Sequence, residues 1–168
     1  MNPEDLGAYY ESILDRESRR EGGVYYTPPF IVDYMVEHSL GALLKDKTPD
    51  EAAKIKIVDP ACGAGIFLLG AYQFLFDWHK KYFGSLTLEQ RRKILTDNIF
   101  GVDIDPLAVE ITKYCLSMKC SEGEDCFLDL DENIRCGDSL LETDFCWQKE
   151  FPHVFKQGGF DMGSVFLK

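Results

Sequence analysis

No stretch of this sequence stays apolar for the length of a membrane crossing; charge or glycine interrupts the longest apolar segments well short of a span. The acidic opening MNPEDLGAYYES lacks the features of a signal peptide. The expectation is a cytoplasmic protein with no membrane partner. Six cysteines (62, 115, 120, 126, 136 and 146) form no Cys-x-x-Cys pair, and the three histidines lie far from them. A zinc site needs such ligands at tight spacing, so no metal is expected and the thiols read as reduced and mostly buried. Basic residues are also short: 18 Lys and Arg face 29 Asp and Glu, a net charge of −11. That balance opposes tight nucleic-acid binding by this chain alone. The two basic clusters, RESRR (16–20) and QRRK (90–93), read as solvated helix sides. Internal repeats and low-complexity segments are absent.

The 168 residues are 45% hydrophobic and 13% aromatic, enough for one domain with a real core. Leu6, Tyr9, Tyr10, Ile13 and Leu14 sit at helical spacing in a segment that EGG closes. A second helix follows VYY, with Thr27 as its cap and Pro28 at its first position. DKTPDEA reads as a polar loop. KIKIVD (54–59), IFGVDID (99–105) and NIRCGD (133–138) read as strands, and FDMGSVFLK as the start of a fourth. Between them lie a buried helix in GIFLLGAYQFLFDWHKKYFG, a short one after Thr87, and PLAVEITKYCLSMK capped by Asp105. On the last of these, Leu107, Ile111, Tyr114, Cys115 and Met118 share a face. SLLETDFCWQKEFPHVFKQGG reads as loop. Strands alternating with helices argue for an α/β fold with a parallel sheet.

The segment VDPACGAGIFLL (58–69) carries the chemistry. Gly63 and Gly65 let the backbone turn sharply and approach a ligand without a Cβ in the way. The helix behind them directs its positive end at the same place. No Gly-Lys-Ser/Thr follows, which disfavours a nucleoside triphosphate. The third glycine of a dinucleotide fingerprint is missing, and Asp103 comes too late to be its acid, which makes a nicotinamide oxidoreductase a poor reading. Asp59, Asp103 and Asp138 each end a strand, at the edge where doubly wound sheets bind ligands. A strand-end acid also serves as a helix cap, and a glycine pair as a plain tight turn. The residues alone leave both open.

DPACGAGIFLL closely resembles motif I of the adenine-N6 DNA methyltransferases of restriction–modification systems, usually Asp-Pro-Ala-Cys-Gly-Ser/Ala-Gly-x-Phe-Leu. Three more segments resemble that family's motifs in the same order: GGVYYTPPFIVDYMV (22–36), NIFGVDIDPLAVEITKYCL (98–116) and IRCGDSLL (134–141). The opening LGAYYESIL resembles the helix that precedes the Tyr-Thr-Pro motif. The resemblance runs from about residue 6 to 161 and points to type I modification subunits or single-chain restriction–methylation enzymes. It implies S-adenosyl-L-methionine as cofactor and a Rossmann-like methyltransferase fold, incomplete at about four parallel strands. An N-terminal helical segment (1–50) would precede the partial cofactor domain (51–168).

Carried over, Tyr26, Thr27 and Pro28 line the methionine end of the cofactor. Asp59 approaches its ammonium, directly or through water. Ala61, Cys62, Gly63 and Gly65 form the turn beneath it. Asp103 accepts from the ribose hydroxyls, Ile104 packs on the adenine, and Asp138 accepts from the adenine amino group with Ser139 beside it. A carboxylate only accepts hydrogen bonds, and charge-assisted ones are the stronger kind. Phe67 is expected in the core.

The family's Asn/Asp-Pro-Pro-Tyr/Phe tetrapeptide, which holds the flipped adenine, follows the strand that FDMGSVFLK begins, and the sequence reaches Lys168 before it. TPPF (27–30) resembles it superficially, but its context fits the cofactor motif. The expectation is therefore a fragment without catalytic residues, inactive alone. DNA would be met through C-terminal regions beyond it, and self-association would run through an unpaired sheet edge. The competing reading is a non-catalytic, partner-binding module that uses the methyltransferase fold as a scaffold.

Overall fold

The computed structural model describes residues 3–13, 27–123, 128–141 and 144–163. Among the described residues helices α1 (Pro3–Ile13) and α2 (Pro29–Leu43) come first, followed by the single turn α3 (Pro49–Ala52). Strand β1 (Ile57–Asp59) leads into α4 (Ile66–Phe83) and α5 (Leu88–Asn98). Strand β2 (Ile99–Asp103), α6 (Pro106–Ser121) and β3 (Ile134–Cys136) come next. Two short helices, α7 (Trp147–Glu150) and α8 (Pro152–Lys156), lead to β4 (Met162–Gly163). The sheet order is β3-β2-β1-β4, and every pair is parallel. The chain steps outward from β1 to β3 and then returns to the other side of β1, so the order reverses beside β1.

Alternation along the strands builds two cores. Ile57, Ile99 and Ile134 point to one face, where they pack with buried residues of α2, α4, α5 and α6. Helix α4 is the centre of that layer: Leu68, Leu75 and Ala71 are fully buried, and Phe67 is a core residue as expected. Val58, Phe100 and Val102 point to the other face. There the segment read as loop folds into α7 and α8 and supplies Phe145, Phe151 and Val154, with Trp147 and Phe160 packed against them. Phe100, Phe151 and Phe160 meet edge-to-face at centroid distances of 5.4 to 5.8 Å, each pair worth about 0.5–1.5 kcal/mol beyond its burial. Helices this short carry little periodicity, which is why the sequence pattern missed them.

Other local readings also shift. Thr27 does not cap α2: Pro28 is the N-cap, with no side-chain cap bond. Pro29 takes the first helical position and keeps the residue before it extended, which moves the start by one. The loop DKTPDEA holds a helical turn with a full Thr48–Glu51 capping box. Thr87 and Asp105 cap α5 and α6 as expected. The buried face of α6 is Ala108, Val109, Thr112, Cys115 and Leu116, whereas Leu107 and Tyr114 are exposed. Arg91, read as solvated, is buried and paired with Glu122 at 2.7 Å. Cys62, Cys115 and Cys120 are buried, Cys136 is exposed and Cys146 half-buried, all as free thiols. Among the described residues no helix is long and apolar enough to cross a membrane. The cluster RESRR, Tyr25, Tyr26 and Cys126 lie outside the described residues.

Candidate ligand site at the carboxyl edge of the sheet

Strand register sets the geometry. Asp59, the last residue of β1, is level with Gly101 of β2, so β2 runs two residues further, to Asp103. At about 3.3 Å per residue this is a step of roughly 7 Å. The segment after Asp59 fills the step by folding over the end of β2: Cys62 N donates to Val102 O at 2.9 Å and Gly63 N to Asp103 Oδ2 at 2.7 Å. Alternation places Asp59 and Asp103 on the α4 and α6 side of the sheet, with Ile57 and Ile99. Asp59 is buried, and its Oδ1 accepts from Ala61 N at 3.1 Å.

The turn closes with Gly65 N donating to Cys62 O at 2.8 Å. Gly63 (φ +52°) and Gly65 (φ +81°) both occupy the left-handed region, where other residues are strained. A Cβ at Gly65 would also sit 2.8 Å from Thr112 Cγ2 and 2.9 Å from its Oγ1. The missing side chain at Gly65 therefore makes room for α6. Gly65 is the N-cap of α4 and offers no side-chain cap, so the amides of the first turn keep their donor capacity and the helix keeps its positive end.

Asp103 ties three segments together. Its Oδ2 holds the glycine turn, its Oδ1 accepts from Asp105 N at 2.9 Å, and its carbonyl accepts from Gly137 N at 2.9 Å. Asp138 is the next residue after Gly137. Its Oδ1 accepts from Leu140 N at 3.0 Å, while its Oδ2 takes no bond among the described residues. Ser139 is half-buried, and its carbonyl accepts from Trp147 Nε1 at 3.2 Å. Ile104, just past β2, is 60% exposed, and Leu140 beside Ser139 is 66% exposed. Large apolar groups thus stand open next to the acids.

Each carboxylate oxygen can accept two hydrogen bonds. Asp103 gives one such position on each oxygen to the backbone, so acceptor capacity remains after the turn is built. The Cys62 thiol lies beneath the turn at 5% exposure. Burial, then the Asp59 and Asp103 carboxylates, push it well above its ordinary value. It stays a neutral wall and no nucleophile. The turn contains no lysine or arginine. Its carboxylate side therefore suits groups that donate hydrogen bonds and carry positive charge, while the uncapped start of α4 suits a negative group.

The structure joins Asp59, Ala61, Cys62, Gly63, Gly65 and Asp103 in one bonded unit, with Ile104, Asp138 and Ser139 next to it. Thr27 and Pro28 are half-buried at the start of α2, and no hydrogen bond ties them to the carboxylates. Tyr26 lies outside the described residues. Two contributors escape the sequence pattern. Thr112 Oγ1 donates to Gly63 O at 2.8 Å, and Tyr10 donates its phenol to Asp105 Oδ2, while Asp105 Oδ1 caps α6 through Leu107 N at 2.9 Å. In the sequence Thr112 stands out from no pattern and Tyr10 reads only as a member of an apolar helix face, and their partners are 49 and 95 residues away.

The pattern that defines the family described as N-6 DNA Methylase matches residues 1–162. The adenine-specific methyltransferase PglX of Streptomyces coelicolor is 29% identical over 146 residues, covering 82% of this chain and 12% of that protein. The type II methyltransferase M.VspI of Vibrio sp. (strain 343) is 27% identical over 157 residues, covering 90% of this chain and 32% of its own length. The cryoEM structure of the DrdV–DNA complex matches with a TM-score of 0.61 at 22% identity, over 82% of this chain and 13% of that one. This last likeness bears on the fold. The chain spans 12% to 32% of these relatives' lengths.

Proposed function

The chain belongs to the N-6 DNA methylase family, matched over residues 1–162, and we propose that this region binds S-adenosyl-L-methionine for methylation of adenine in DNA. The bound cofactor would supply an electrophilic methyl group on a positively charged sulfur. The chain's own residues supply carboxylate acceptors, an apolar surface and backbone donors for the rest. Asp103 takes the ribose hydroxyls on the positions its backbone bonds leave open. Asp138 takes the adenine amino group on Oδ2, and the exposed Ile104 side chain lies against the ring. Asp59 answers the ammonium. The first-turn amides of α4, left without a side-chain cap, suit the carboxylate end of the methionine.

The observation that carries this reading is the double use of Asp103. One carboxylate holds Gly63 N and Asp105 N, so the group that would bind the ribose also shapes the turn beneath the methionine. A phosphate ligand would meet like charge here; a sulfonium zwitterion meets opposite charge. With a net charge of −11, this region would add little phosphate affinity, and DNA would be held by other parts of the protein.

Titration calorimetry of the chain with S-adenosyl-L-methionine tests the proposal. Micromolar binding is expected, weakened about 100-fold in Asp103→Ala through loss of two charge-assisted bonds. Asp103→Asn, which keeps the shape and one acceptor oxygen, should fall between. Absence of binding to S-adenosyl-L-methionine and S-adenosylhomocysteine by the unaltered chain would overturn the reading and favour a scaffold role.

A further inference from the structure

We propose that Thr112 is a positioning residue for the cofactor turn: its hydroxyl clamps the Gly63 carbonyl so that the Gly63 amide stays on Asp103. This rests on the reading of the strand tips as the S-adenosyl-L-methionine site. Thr112 stands in the middle of α6 at 0% exposure, with Ala108, Val109, Cys115 and Leu116 as its nearest buried neighbours along the helix. A mid-helix threonine ordinarily returns its hydroxyl to a carbonyl of its own helix. Here Oγ1 instead crosses to Gly63 O at 2.8 Å. Gly63 is thus gripped at both ends, with its N–H on Asp103 Oδ2 at 2.7 Å and its C=O on Thr112.

The clamp matters because of the backbone it holds. Glycine reaches φ +52° freely but is equally free to leave it. Two side chains from different elements, the end of β2 and the middle of α6, remove that freedom before any ligand arrives. A turn shaped in advance binds more tightly because ordering it on binding costs affinity. Thr112 also fills the hollow under Gly65, where a Cβ would lie 2.8 Å from Cγ2. A plain packing role would need that methyl group; the positioning role needs the hydroxyl.

Thr112→Val and Thr112→Ser separate the two. Valine keeps the shape and loses the hydrogen bond; serine keeps the bond and loses the methyl. Two measurements apply to each: the calorimetric Kd for S-adenosyl-L-methionine, and hydrogen exchange at the Gly63 amide in the ligand-free protein. Expected for Thr112→Val is roughly tenfold weaker binding and roughly tenfold faster Gly63 exchange, the scale of one lost hydrogen bond. Thr112→Ser should stay within about twofold of the unaltered chain in both, since its bond survives. If valine is silent in both, or serine is the more damaging change, the proposal is wrong. Should Thr112→Val fail to fold, Thr112→Ala against Thr112→Ser makes the same comparison. If the unaltered chain binds no cofactor, the reading of the site fails, while Gly63 exchange still decides whether the clamp exists.

Discussion

The two ends of the sheet put their polar side chains to different use. At the amino end, the residue before each strand ties the backbone together: Lys56, Asn98, Asn133 and Asp161. Asn98 Nδ2 donates to Ala52 O at 2.9 Å and Ile55 O at 2.7 Å. Asn133 Nδ2 donates to Thr96 O and Ile99 O, both at 2.8 Å. Lys56 Nζ donates to Asp97 O, and Lys56 N to Asp161 Oδ2 at 2.8 Å. Both donor positions of each asparagine amide are committed, and both asparagines are buried. At the carboxyl end the side chains are carboxylates that accept from backbone amides, and Asp103 and Asp138 retain acceptor positions. At one end the two buried asparagine amides have both donors committed; the other end holds itself together and keeps acceptor capacity beside the glycine turn. Polarity alone therefore does not mark a site, since both ends are polar. What marks the carboxyl end is open acceptor capacity on Asp103 and Asp138 beside the uncapped start of α4.

Substitutions at the amino end should cost stability and leave binding alone. The largest loss is expected in Asn98→Ala, which removes the buried amide that ties Ala52 O and Ile55 O together and opens a gap. Urea denaturation should show about 2–4 kcal/mol less stability, with cofactor affinity of the folded protein within about twofold of the original. A large loss of affinity at intact stability would break the division between the two ends. Asp138→Ala at the carboxyl end should do the reverse: about tenfold weaker cofactor binding by calorimetry, with stability changed by less than about 1 kcal/mol.

The smallest expected effect comes from the far end of α4, where His79 is buried and its Nε2 has no hydrogen-bond partner among the described residues. Burial holds the imidazole below its ordinary value, so the native state refuses a proton that the unfolded chain accepts. The stability this confers is complete above the ordinary histidine range, about 6.5, and is lost as pH falls through the lowered native value. His79→Phe keeps the aromatic contacts with Trp78 and Phe83. It should flatten the acid side of a stability–pH curve by less than about 1 kcal/mol. An unchanged curve would mean that other groups govern acid sensitivity.

Much of the carboxyl end was legible because its signals are local. An acid closing an apolar run, two glycines around an alanine, and Thr87 or Asp105 ahead of a helix each act within about four residues. The amino end was illegible: Asn98 and Asn133 look like ordinary polar residues at helix and loop ends. Their carbonyl partners at Ala52, Ile55, Thr96 and Ile99 are 34 to 46 residues away. The aromatic cover of the second face was hidden for a related reason, since α7 and α8 are too short to show a period.

The sequence by itself determined the alternation of strands and helices, the acids at the ends of the strands and the sharp glycine turn, because backbone sterics and side-chain charge are properties of single residues and near neighbours. Only the tertiary structure decided that Asp103 would grip Gly63, that Thr112 would reach it from α6, and that the asparagine amides at one sheet end would be saturated while the acids at the other kept open acceptors. A hydrogen bond is satisfied or left open by the partner that packing brings to it, and that partner has no fixed place along the chain.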